Sequence, residues 1–123
     1  MKKTVSTGFI NFNVTVDICN TQNMIENGYI SDDIKVYGLC IRKNALDYII
    51  AFNSDYDITT EIILHEVYHL FFHVINDIGI NDTFSANELG KDLYCYMFVD
   101  MFSKAMGIVQ KELKRNKKEA NNG

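Results

Sequence analysis

The segment that decides how this chain folds runs from Asp57 to Gly79 and reads DITTEIILHEVYHLFFHVINDIG. Asp57 or Thr59 is placed to cap a first turn and Gly79 is a natural stop, so a helix is expected from about Ile58 to Ile78. Ile62, Ile63, Leu64, Val67, Leu70, Phe71, Phe72, Val74 and Ile75 leave little polar circumference, which predicts a helix buried in the centre of the domain.

Outward from this helix the periodicity changes. Ile10, Phe12, Val14, Val16 and Ile18 alternate with polar residues, the pattern of a strand with one dry face. Asn20 to Asp33 reads as a loop with a helical turn around Met24 to Glu26. Ile34 to Ile41 and Tyr48 to Phe52 are rich in β-formers and joined by Arg42-Lys43-Asn44-Ala45, which predicts an antiparallel hairpin. On the other side, a second helix is expected from about Ser85 to Gln110 or beyond, with Gly107 a weak point. The expected fold is therefore α+β, a three-stranded antiparallel sheet followed by two long helices. Residues 1–110 read as a single domain, and 111–123 as a basic helix end with a disordered tail.

The 123 residues are 47% hydrophobic and 23% charged, enough for one compact domain. Sixteen acidic against twelve basic residues give a net charge of −4, which argues against a nucleic-acid partner. No apolar run approaches the length of a membrane span, and Met1-Lys2-Lys3 leads directly into polar residues, so neither a membrane helix nor a signal peptide is expected. Cys19, Cys40 and Cys95 are odd in number and form no CxxC pair, which suggests a reducing compartment and a cytoplasmic location.

The chemistry lies in His65-Glu66-Val67-Tyr68-His69, the HExxH pattern. Residues four apart share a helical face, so both imidazoles reach one ion. Glu66, about 100° around the axis from His65, is close enough to contact a water on that ion without being a ligand. Two imidazoles and a carboxylate suit zinc and leave an open position. Two of the chain's three histidines fall at this spacing, with glutamate in the required place. The competing reading is a pair of ordinary helix histidines bonded to their neighbours. His73 lies roughly 12 Å from His65 along the helix and cannot share the ion, so it is a bystander or a substrate contact.

A third ligand is sought on the second helix, in Asn87-Glu88-Leu89-Gly90-Lys91-Asp92. Glu88 follows His69 after eighteen intervening residues, enough for the chain to reverse. Asp92, one turn later, is placed to orient a ligand histidine through its far nitrogen. The rival assignment gives the ion to Asp92 and makes Glu88 the end of a capping box that begins at Ser85. Cys95 is an outside candidate. The aromatic row Tyr94, Tyr96, Phe98 and Phe102 reads as helix packing, with Tyr68 pointing away from the ion.

These motifs resemble the zincin metallopeptidases, in particular the gluzincin branch, in which a glutamate ligand follows HExxH on the next helix. The element from Asn87 to Asp92 is similar to the NExxSD segment of thermolysin-like enzymes, with Lys91 where that family has serine. The resemblance implies zinc on His65, His69 and Glu88, Glu66 as general base and Asp92 behind the ligands. It extends over roughly Tyr37 to Phe102 and also takes in minimal zincins, including ImmA/IrrE-type domains and small HExxH proteins of phages and mobile elements. The chain lacks the second lobe that forms half of the substrate cleft in larger members, and no tyrosine or histidine is assigned as their transition-state stabiliser.

The leading expectation is a small zinc-dependent peptidase acting on a protein or peptide substrate, with an exposed strand within Ile34 to Phe52 holding the peptide by edge pairing. A second is a catalytically silent protein-binding module on a zincin scaffold, a phage or mobile-element regulatory protein. A third is a metal-free interaction protein with histidines in its core.

Overall fold

A computed structural model describes residues 2–6, 10–31, 34–79 and 88–122, with the backbone alone at 88–91, 93, 94 and 120–122. The elements follow in the order β1 (Lys2–Ser6), β2 (Asn11–Cys19), α1 (Thr21–Glu26), β3 (Gly38–Asn44), β4 (Asp47–Asn53), α2 (Thr60–Ile78) and, written here as α3, the long helix Glu88–Asn122. The four strands form one sheet in the order β1-β2-β4-β3. β1 and β2 are antiparallel, β3 and β4 are antiparallel, and β2 and β4 run parallel with Val14 opposite Tyr48 and Val16 opposite Ile50.

This corrects the expected three-stranded antiparallel sheet followed by two helices. The class is α+β, but among the described residues the sheet is mixed and four-stranded, and three helices accompany it. β1 was not foreseen because KKTVS buries only Val5 and carries no readable alternation. The parallel pair leaves no local signal, because β2 and β4 are neighbours in the sheet while α1 and β3 separate them along the chain.

The sheet is covered on both faces. Phe12, Val14 and Val16 of β2 and Tyr48, Ile50 and Phe52 of β4 share a core with α2 and α3, including Leu70, Val74, Met101 and Val109. Cys19 and Ala51, on the alternate positions, join Met24 and Ile30 in a second cluster on the other face. β4 is therefore nearly continuously buried from Ile50 to Asn53. The helical turn expected around Met24 is the short helix α1, whose Met24 fills this second core.

α2 begins where Thr59 accepts a hydrogen bond from the Ile62 N–H, and ends at Gly79 in the left-handed conformation. It is not buried all round, as its apolar density suggested. Ile63, Val67, Leu70, Phe71, Val74 and Ile75 face the core, while Leu64, Tyr68 and Phe72 are exposed, Tyr68 by 50%. α3 runs through Gly107 without interruption and continues to Asn122. The expected start near Ser85 lies outside the described residues. No helix among the described residues is long and apolar enough to cross a membrane.

The last turn of α2 holds the β3–β4 connection. Asp77 accepts hydrogen bonds from Arg42 Nε at 2.8 Å, the Leu46 N–H at 3.1 Å and the Tyr48 hydroxyl. Leu46 has φ 59, a left-handed conformation that costs energy in a side-chain-bearing residue. The Asp77 bond and a second bond from Asn13 N to Leu46 O, 2.9 Å, retain it there.

Candidate metal centre

The α2 backbone projects His65 and His69 from the same face, one turn apart, and their Nε2 atoms approach to 3.1 Å with the rings edge to face. Two nitrogens bound about 2.05 Å from a tetrahedral ion lie roughly 3.3 Å apart, so the separation is compatible with a single metal, and without one the same contact is an N–H···N hydrogen bond between the rings. Ligand atoms of His65, Glu66 and His69 all lie within 4.8 Å of one another. His69 favours the neutral form that a ligand requires, because partial burial and then the nearby His65 and His73 lower its pKa. These residues could hold a metal ion.

Glu66 differs from its histidine neighbours in being 5% exposed. Its side chain turns toward β3, where a Cβ placed on Gly38 would stand 3.2 Å from Glu66 Cγ and 3.1 Å from the Ala51 carbonyl oxygen. Glycine at this position leaves the room in which Glu66 sits. Burial raises the Glu66 carboxyl above its usual pKa, opposed by the charge of His65. A carboxylate with raised basicity beside a candidate metal is suited to take up a proton. Cys40, also near Glu66, is pushed up to about 12 by burial and by that carboxylate, so it stays a thiol.

A cleft of about 530 Å³ opens between the first half of α2 and the entry to β3, lined by Lys35, Val36, Tyr37, Gly38, Thr59, Glu61, Ile62, His65 and Glu66. Its β3 wall is held by the buried Asn53, whose Nδ2 donates to the Val36 carbonyl at 2.8 Å and to Thr21 Oγ1 at 2.9 Å, while its backbone N–H donates to the Tyr37 carbonyl. The Lys35 ammonium lies 5.3 Å and 5.7 Å from the ring centres of Tyr37 and Tyr56, a cation–π arrangement at the cleft mouth. Sequence reasoning did not single out Gly38, Asn53 or Lys35. They carry no local motif and reach the site only when the sheet docks on α2.

The Glu88 side chain lies outside the described residues. Asp92 is exposed on α3. Cys95 is exposed and lines a different depression, between α2 and α3, with Tyr68, Phe71, Phe98 and Val99. His73 stacks on Tyr48 with ring centres 6.0 Å apart, on the side of the helix that clamps the hairpin. Phe98 packs edge-on against Phe71 and stacks on Phe102, as expected for a packing row, whereas Tyr96 is exposed. Tyr68 lies against Phe72 and Phe98 rather than in the cleft. Compared with family models, with curated proteins and with solved structures, the chain matches none.

Proposed function

We propose that this chain is a small zinc-dependent peptide hydrolase. The observation that carries the reading is the convergence of His65 and His69 Nε2 at 3.1 Å beside a buried glutamate at the wall of an open cleft. The donor set fits zinc, with two imidazoles at the right bite and a carboxylate left over for proton transfer. His65 and His69 would hold the ion, joined by Glu88 as the carboxylate ligand and with Asp92 orienting a histidine. When bound, zinc supplies a Lewis acid for the scissile carbonyl and lowers the pKa of water.

The other steps belong to the chain. Glu66 takes a proton from the attacking water on a carboxylate oxygen and delivers it to the leaving amine, using the basicity that burial confers. Among the described residues β3 pairs only with β4, so its other edge supports an extended peptide laid along the cleft. Thr59 and Asn53 act earlier, by setting the start of α2 and the position of the Val36–Tyr37 wall.

The test is zinc content per chain of untagged protein, alongside His65→Ala and Glu66→Gln. About one zinc per chain, lost in His65→Ala, together with peptide turnover lost in Glu66→Gln at unchanged zinc, is the expected result. Absence of zinc under replete conditions refutes the reading. A site that holds zinc but ignores a chelating hydroxamate and cleaves no peptide would be that of a binding module.

A further inference from the structure

We propose that the groove between β1 and the C-terminal half of α3 is a docking site for an acidic peptide segment of a partner protein. The groove has a volume of about 440 Å³ and is lined by Ile108, by Glu112, and by five cations, Lys3 of β1 and Lys111, Lys114, Arg115 and Lys118 of α3. Arg115 is neutralised by Glu112, to which its Nε donates at 2.9 Å, and by Glu119. The other four cations have no carboxylate within ion-pair distance among the described residues. Lys111, Lys114 and Lys118 lie at i, i+3 and i+7 on one face of α3, about 10 Å end to end, and Lys3 comes from a separate element to close the ring.

The shape and lining select the partner. The groove is concave, with Ile108 and the lysine stems offering apolar surface beneath the ammonium groups. Duplex nucleic acid is convex and reaches such a groove only at its rim. Single strands are held by stacking on aromatic rings, and none lines this groove. A membrane surface is held most firmly where exposed apolar side chains stand beside the cations, and none of the exposed large apolar residues is here. A short segment with acidic residues on either side of an apolar one satisfies both parts, carboxylates on the lysines and an apolar side chain on Ile108.

The net charge of −4 does not oppose this. At physiological salt, fields fade over about 8 Å, so a ligand in the groove is governed by the cations around it. β1 and β3 are the two outer strands of the sheet, which puts the groove at the opposite edge from the metal-centre cleft, and both can be engaged at once. The inference is independent of the hydrolase reading.

The test is fluorescence anisotropy at low ionic strength with a rhodamine-labelled Glu-Glu-Leu-Glu-Glu peptide, compared with Gln-Gln-Leu-Gln-Gln, on the full chain and on Lys111→Glu/Lys114→Glu/Lys118→Glu. A Lys→Gln version of the triple variant, checked by circular dichroism, covers the case in which charge reversal unfolds the helix. The acidic peptide should bind, weaken with added salt, and lose about tenfold or more in affinity in the folded triple variant. Four outcomes would overturn the proposal: no binding, equal binding of the glutamine peptide, unchanged affinity in the variant, or tighter binding to a duplex oligonucleotide or to phosphatidylserine vesicles.

Discussion

Replacing Asp77 with alanine removes one carboxylate that serves three donors, and the cost can be worked out donor by donor. The Tyr48 hydroxyl belongs to a residue with 0% exposure, and leaving it without an acceptor costs about 1–3 kcal/mol. The Leu46 N–H loses its bond in a turn that water can reach, about 0.5–1.5 kcal/mol, and with it one restraint on the left-handed φ. Arg42 is 45% exposed, and its ion pair adds about 0–0.5 kcal/mol. The total is roughly 1.5–5 kcal/mol, a fall in Tm of about 5–20 °C for a chain of this length. Urea unfolding of Asp77→Ala, Tyr48→Phe and the double variant checks the attribution. Removing the hydroxyl should be much cheaper once Asp77 is gone, with a coupling of about 1 kcal/mol or more.

The same residue gives a pH dependence. Burial acts to raise the Asp77 carboxyl, but the Tyr48 hydroxyl, the Leu46 N–H and the Arg42 guanidinium together hold it below its usual 3.8. A depressed folded pKa contributes stability that is complete above the unfolded value and lost as pH falls through the folded one. Wild-type stability should therefore drop more steeply than that of Asp77→Ala as the pH is lowered below about 4. A loss under 0.5 kcal/mol in Asp77→Ala, strict additivity in the double variant, or parallel acid profiles would refute the reasoning.

Other expectations are more direct. Gly38→Ala places a Cβ 3.1–3.3 Å from the Ala51 carbonyl, Glu66 and Phe52, which should cost about 1–3 kcal/mol by urea unfolding and lower turnover by shifting Glu66. An unchanged turnover in that variant would show that Glu66 needs no such placement. Asn53→Ala deprives the buried wall of its side-chain bonds to Val36 and Thr21 and should destabilise by about 1–3 kcal/mol in thermal melts, with KM raised more than kcat falls. His69→Ala should lose zinc, measured by equilibrium dialysis, while His73→Ala should keep it because His73 lies against Tyr48.

Much of the candidate site was legible because it is local. A helix fixes the angle between positions 65, 66 and 69 whatever surrounds it, and Thr59 and Gly79 carry their cap and stop signals in their own chemistry. The hairpin from Gly38 to Asn53 is legible for the same reason, although its first strand begins at Gly38 rather than Ile34 and continues through Arg42 to Asn44, past an irregularity, so that the turn is Ala45–Leu46 and not Arg42–Ala45. The apolar density of α2 is not evidence of burial all round. It reflects two different surfaces, a core face and an exposed row at Leu64, Tyr68 and Phe72, which composition alone cannot separate.

By itself, then, the sequence determined an α+β chain with a strand from about Ile10, a hairpin and a capped helix carrying two imidazoles at one metal's bite, all set by spacings shorter than a few turns or a single strand. Only the tertiary structure decided that β2 and β4 pair in parallel, that a lysine-bearing first strand forms one edge of the sheet, that Gly38 makes room for a buried Glu66, and that Lys3 joins the cations of α3. The physical reason is that local geometry follows from backbone sterics and hydrogen bonding within a few residues. Which distant surfaces meet depends instead on the free energy of burying the whole apolar set at once, and no single stretch of the chain contains that information.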